Sequence, residues 1–268
     1  MRYVAPARGS VDPGVLERMP LLAWHDHGAW LSADGWPTLD QLNAGRPQDA
    51  AYRFVAQTPK LLADGLHYEQ RIAERGEIAT RERNWHDLLN ALVWLRQPSL
   101  KRALNQRQVA EIARMGPKSR SRAQYALTHF DEGGVIVHLR DPALLALWDA
   151  HDWHGLFWTQ RNAWLDGSIQ LQLFGHALLE LALNPNKLLV GKALVFQSSA
   201  AARADISAHC AEAIASGVLL NDPLELRPLP LSGLPGWRED NVAEGFHRTT
   251  PCYQAKRPGR NYPAPSTI

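Results

Sequence analysis

Cysteine is scarce: there are two in 268 residues, Cys210 and Cys252, and neither has a second cysteine within a few positions. That excludes a disulfide framework and a zinc knuckle, and both are expected to be free thiols. Long apolar runs are missing as well. The densest stretch, Leu88 to Leu95, is interrupted by Asn90, and a membrane-crossing helix needs about 18 or more apolar residues. No transmembrane helix is expected. The start of the chain, Met1-Arg2-Tyr3 followed by Pro6, Gly9, Pro13 and Gly14, has no apolar signal region and no small-residue cleavage site, which predicts a cytoplasmic protein. Net charge is nearly absent at +2, so the total gives no argument for a nucleic-acid partner. There is no Gly-rich phosphate loop, nucleophile elbow, His-Glu-x-x-His or dinucleotide fingerprint, which removes the well-marked enzyme classes. No internal repeat is visible.

What is present is an ordinary globular composition, 45% hydrophobic and 21% charged, sufficient for a sizeable core. Tryptophan occurs ten times, and arginine supplies 23 of the 29 basic residues. Residues 96–122 concentrate charge of one sign: Arg96, Lys101, Arg102, Arg107, Arg114, Lys118, Arg120 and Arg122 stand against Glu111 alone. Such a segment has the charge to hold phosphates, so nucleic acid is a partner to consider there. It lacks the interleaved aromatics on which single-stranded bases stack, and a solvated helix and loop is the simpler reading.

Periodicity sketches the elements. The first fifty residues are rich in Pro, Gly and aromatics and read as an irregular N-terminal arm (1–48), anchored by Trp24, Trp30 and Trp36. Between Asp49 and Arg75 the spacing of Phe54, Leu61, Leu62, Leu66 and Ile72 predicts one or two helices ending near Gly76. Asn84 is a good N-cap for a helix carrying Trp85, Leu88, Leu89, Leu92 and Leu95, which Pro98 stops. A further helix is predicted from Ser99 to Met115, ending at Gly116-Pro117. Asp131-Glu132-Gly133, between Ala126–Phe130 and Gly134–Leu139, reads as the turn of a β-hairpin. Residues 142–158 look helical. Ile169–Leu173 alternates with period two before Phe174, Ala177, Leu178 and Leu181 resume helical spacing, so strand running into helix and one long helix are both open until Asn184-Pro185. Leu188–Phe196 fits a strand, Asp205–Ser216 a helix capped by Gly217, and 222–268 a Pro-rich tail laid over the body.

Two constellations carry the chemistry. Arg83, His86, Asp87 and Asn90 cluster at a helix start, where the positive end of the dipole keeps an imidazole neutral, as a metal ligand or general base must be. An N-terminal Asp is also what capping alone would select, and His86 would serve equally in a satisfied core. His176 and Glu180, four apart in an otherwise apolar helix, share a face, which suits two ligands of one metal or a base oriented by a carboxylate. Three further clusters read as structural: His25-Asp26-His27 in the arm, Asp149/His151/Asp152/His154 among tryptophans, and Thr128-His129-Phe130-Asp131-Glu132 in the expected hairpin.

The run from Thr80 to Trp94, centred on Asn84-Trp85-His86-Asp87-Leu88-Leu89-Asn90, resembles the signature of a bacterial family, Domain of Unknown Function 3025. Trp36-Pro37, Tyr68-Glu69, Leu104-Asn105, Phe130-Asp131-Glu132, Phe174-Gly175-His176 and Pro235-Gly236-Trp237 are similar to shorter family segments, over roughly residues 30–260. The resemblance implies one domain and brings no known activity, cofactor or catalytic residue. This chain departs from the family pattern at His129, where an apolar residue is usual, and at Gln97, where phenylalanine is.

The expectation is therefore a single, predominantly helical α+β domain with a β-hairpin or small sheet, wrapped at both ends by extended segments. Its expected site lies between two helices. A hydrolase, possibly assisted by a divalent metal, would use His86, Asp87 and His176 for catalysis, Arg83 and Asn90 for substrate, and His86, His176 and Glu180 as metal ligands. The alternative is a non-catalytic protein that binds a small ligand, a protein partner or nucleic acid and whose buried histidines satisfy each other.

Overall fold

The computed structural model describes residues 3–32, 35–116, 118–198 and 206–267. Met1, Arg2, Pro117 and Asp205, which figure in the sequence reading, lie outside the described residues. The architecture is α+β and predominantly helical. The arm is less irregular than its composition suggests: single helical turns at Arg8–Ser10 and Pro13–Val15 and a longer 3-10 segment at Leu21–His27 lead into α1 (Gly28–Ser32) and α2 (Leu39–Ala44). Strand β1 (Arg53–Ala56), helices α3 (Pro59–Leu62) and α4 (Tyr68–Arg75), and strand β2 (Glu77–Thr80) follow. Next come α5 (Trp85–Arg96), α6 (Pro98–Met115), α7 (Arg122–Gly133), β3 (Gly134–Leu139), α8 (Pro142–Ala150) and α9 (Arg161–Leu165). The chain closes with β4 (Ile169–Leu173), α10 (His176–Ala182), β5 (Val190–Gln197), α11 (Ile206–Ala215), β6 (Arg227–Pro230), α12 (Glu244–Thr249) and β7 (Ser266–Thr267).

The larger sheet runs in the order β4-β3-β5-β6, with β7 also pairing with β5. Strand β3 is parallel to β5 and antiparallel to β4, and all six of its residues are buried. Apart from His138 the strand is apolar, and burial on both faces is what a central strand needs. The second sheet is the parallel pair β1–β2, in which Phe54 lies opposite Ile78.

Helix α5 threads the middle of the core. The Asn84 side chain accepts from the Asp87 amide at 3.1 Å, which satisfies one of the amides left open at a helix start. Trp85, Leu88, Leu89, Ala91, Leu92, Val93 and Trp94 are all buried, so the helix is covered nearly all round, by β2, α6 and α10. The arm docks on its first turn. The Trp85 indole donates to the Pro6 carbonyl at 3.1 Å and Trp36 meets Trp85 edge-on at 4.9 Å.

Three expectations need correction. The segment Asp49–Arg75 is not purely helical, because Tyr52 and Phe54 are buried while Arg53 is exposed, a period-two pattern whose pairing partner lies beyond Gly76. No hairpin joins Ala126–Phe130 to Gly134–Leu139. A capping box between Ser121 and Gln124 starts α7, Ala123, Ala126, Leu127 and Phe130 bury one helical face, and Asp131-Glu132-Gly133 form its last turn. The C-terminal tail is more than a wrapping, since β6 adds an edge strand to the main sheet and Leu229 and Leu231 are fully buried. The ambiguity at residues 169–182 resolves as strand, turn at Phe174-Gly175, then helix.

Candidate functional site

Helix α10 packs on α5 and α7, and two glycines set how closely. The Gly175 amide donates to the Gly134 carbonyl at 2.9 Å. A Cβ on Gly175 would stand 2.5 Å from Gly133 Cα and 2.6 Å from the Glu132 carbonyl oxygen. Only glycine allows this approach, which delivers His176, the first residue of α10, beside the last turn of α7.

The two histidines of the sequence reading meet there. Nε2 of His86 and Nε2 of His176 are 3.0 Å apart, with the rings edge to face. Glu180 does not reach toward His176, with which it shares a helix; its carboxylate accepts from Nδ1 of His86 at 2.8 Å. That bond fixes the His86 tautomer, so the lone pair or second proton of His86 is on Nε2, facing His176. Two lone pairs cannot face each other at this distance: the gap holds a proton or a cation. Oε2 of Glu132 is 3.9 Å from His176 Nε2, and one ligand atom from each of His86, Glu132 and His176 lies within 4.8 Å of the others. Behind His176, Nδ1 approaches Asp131 Oδ2 at 3.8 Å and makes no hydrogen bond of good geometry.

These groups open on a cavity of about 290 Å³ between α4, α5, α6 and α7. Its wall includes Lys101, a side chain only 4% exposed that donates to Asn90 Oδ1 at 2.6 Å and to Asp131 at 2.5 Å. Asn90 in turn donates to the Tyr68 hydroxyl at 3.1 Å. Further along, Asn105 Nδ2 donates to the Glu69 carbonyl at 2.8 Å and to its carboxylate at 2.7 Å.

Burial and pairing divide the titrating groups. His86 is raised above its ordinary value by the hydrogen bond it donates to Glu180, which outweighs its partial burial. His176 is pushed down to about 3 by burial, with the Lys101 charge adding to the effect, so it stands neutral. Burial would raise Asp131, but the Lys101 charge and hydrogen bond hold it below its usual range. Burial raises Glu132, against the pull of His86, and pushes Glu69 up to about 7.

The other expected site residues fall into two groups. Asn90 lines the cavity, and so does Asp87, but the Asp87 carboxylate is engaged by the Arg81 amide at 2.6 Å and the Arg81 guanidinium at 2.7 and 3.1 Å. It braces the start of α5 and orients neither histidine. Arg83 is exposed, at a left-handed turn with φ 55°, outside the cavity lining, whereas Arg81 lines the cavity. The basic segment also disperses. Lys101 faces the cavity, Arg107 and Arg114 pair with Glu111, Arg122 pairs with Asp222, and Arg96 donates to the Ala23 carbonyl. Of the clusters read as structural, His151 holds the C-terminal tail through the Gln254 carbonyl at 3.1 Å and the Tyr262 hydroxyl at 2.8 Å, and His154 meets Glu244 at 3.0 Å.

Asp131, Glu132, Lys101 and Glu69 are the site residues that sequence reasoning missed. A signal existed for α6: Lys101, Asn105 and Gln108 recur at i, i+4, i+7 and are buried, a polar stripe where a helix core face is expected. Asp131 and Glu132 were hidden by the misread hairpin.

Fold and site together define an α+β protein with a histidine–carboxylate centre in the wall of a polar cavity. The chain belongs to the family described as protein of unknown function (DUF3025), whose model matches residues 52–257. That span contains every residue of the centre. No curated protein and no solved structure matches the chain, and no helix among the described residues is long and apolar enough to cross a membrane.

Proposed function

We propose that the protein is a metal-assisted hydrolase, in which His86, His176 and Glu132 hold one divalent cation in the cavity wall. The observation that carries this reading is the 3.0 Å approach of the two Nε2 atoms beside the Glu132 carboxylate. Two imidazole ligands of a tetrahedral zinc ion at 2.0–2.1 Å stand about 3.3 Å apart, so the rings need to part by a few tenths of an ångström to admit one. Two histidines and one carboxylate leave a fourth position open, where a water facing the cavity would be activated as a nucleophile. Glu180 then serves as the outer carboxylate that accepts the His86 Nδ1 proton and aims Nε2. His176, kept neutral by burial, is ready to ligate without losing a proton. Asn90 and the Lys101–Asp131 pair form the adjoining wall against which substrate lies.

The competing reading, a non-catalytic binding protein, draws on the same 3.0 Å contact, because the two rings satisfy each other without an ion. Hydrolysis of 4-nitrophenyl acetate by protein loaded with zinc separates the two. Turnover above the buffer rate is expected, abolished by chelation and by His176→Ala. Glu180→Gln should weaken zinc binding about 10- to 100-fold and be rescued by excess zinc. Turnover that is absent altogether would leave the binding-protein reading in its place, and turnover indifferent to chelator and to His176→Ala would overturn the metal centre.

A further inference from the structure

The far end of the cavity has a one-sided hydrogen-bonding surplus. Both cations in its wall are matched: Arg81 by Asp87 and Lys101 by Asp131. Glu132 belongs to the histidine centre, which leaves Glu69 as the acid with no cationic partner among the lining residues. The amide donors are committed too. Asn105 Nδ2 is taken up by the Glu69 carbonyl and carboxylate. Gln108 Nε2 donates to the Thr128 hydroxyl at 3.2 Å and the Gln124 carbonyl at 3.4 Å. The same hydroxyl donates to the Gln124 carbonyl at 2.8 Å, so it must accept from Gln108, and the amide orientation is fixed.

What remains is acceptors. Asn105 is 6% exposed and Gln108 8%, yet the side-chain oxygen of each has no hydrogen-bond partner among the described residues. The second carboxylate oxygen of Glu69 is in the same condition. None of these three oxygens is sealed from solvent: each keeps accessible surface in the cavity wall, where a ligand that enters can donate to it.

We propose that this end of the cavity receives a cationic nitrogen group of the substrate, an ammonium or a guanidinium, held against Glu69, Asn105 and Gln108. Such a group offers several donors to several acceptors, and its charge displaces the proton of Glu69 and becomes the counter-charge of the carboxylate so formed. A phosphoester or carboxylate is disfavoured there, because no unmatched cation awaits it and the oxygens would repel it. The inference rests on the cavity being the substrate site, as proposed above, and is independent of the metal.

Isothermal titration calorimetry of the zinc-free full chain with four probes of one size, n-butylammonium, n-butylguanidinium, n-butanol and butyrate, tests it. The two cations should bind, butanol more weakly, and butyrate not at all. Glu69→Gln should weaken the cations about ten-fold or more, and Gln108→Glu, which adds a negative charge to the same wall, should tighten them. Butyrate binding as well as butylammonium, cation affinity unchanged in Glu69→Gln, or no binding by any probe would overturn the inference. Because zinc is left out, a chain that takes the cations but no zinc refutes the metal reading alone. A chain that takes zinc but no cation refutes this one alone.

Discussion

Lys101→Met is expected to destabilise the protein by about 3 kcal/mol, the lower end of the range for removing one partner from a buried ion pair. The ammonium is inserted among Asn90, Asp131 and the Trp94 and Phe174 rings, and methionine keeps its length while deleting the charge and both hydrogen bonds. Asp131 would then lose its counter-ion and Asn90 an acceptor interaction. The lower end applies because the Asp131 side chain is 30% exposed and water can reach the stranded carboxylate. Urea unfolding reads the effect directly. The double variant Lys101→Met/Asp131→Leu should recover part of the loss, since an apolar pair leaves no uncompensated charge. A single-variant loss below about 1 kcal/mol would show that the pair is structurally idle.

Glu69→Gln is expected to gain on the parent protein as pH rises, by about 3 kcal/mol between pH 4 and 8 in the absence of metal. Glu69 is raised from 4.5 to about 7 in the folded protein, by burial first, with Asp131 adding to and Lys101 opposing the shift. The neighbouring Tyr68 hydroxyl stays protonated throughout, its own value raised by burial and by Glu69. Above pH 4.5 the unfolded chain releases the proton that the folded chain keeps, so the parent loses stability as pH climbs through about 7. The rise from 4.5 to about 7, at about 1.4 kcal/mol for each tenfold change in proton affinity, sets the size. Glutamine does not titrate and escapes the loss. His176 has the opposite sign: neutral when folded, it costs stability as pH falls from 6.5 toward about 3. That contribution is common to both proteins and cancels in the difference. A stability gap that stays constant from pH 4 to 8 would contradict the buried, proton-retaining Glu69.

The two histidine helices were legible in the sequence because their determinants are local. Asn84 and the Leu88–Leu92 spacing define α5, while Phe174-Gly175 before an apolar run defines the start of α10. Their meeting was a matter of tertiary geometry that spacing does not contain. Glu180 shows the limit plainly. Its spacing of four residues from His176 pairs it with that ring on one helix face, yet it reaches across to His86. The misreading of Asp131-Glu132-Gly133 as a hairpin turn had a local cause, since acidic residues and glycine next to a β-rich run suit a turn as well as a helix end. The Ser121–Gln124 capping box ten residues earlier was the better signal. Strand β1 depends on a partner more than twenty residues away, β2, and four residues offer too few alternations to announce it.

Zinc titration of the parent chain near neutral pH, followed by calorimetry and repeated on His86→Ala and His176→Ala with circular dichroism to confirm folding, tests the histidine–carboxylate centre most directly. The predicted result is one zinc ion per chain, with affinity falling more than about 100-fold in either folded variant because each removes one of three protein ligands. No zinc bound by the parent, or equal binding by a folded His176→Ala variant, would contradict it.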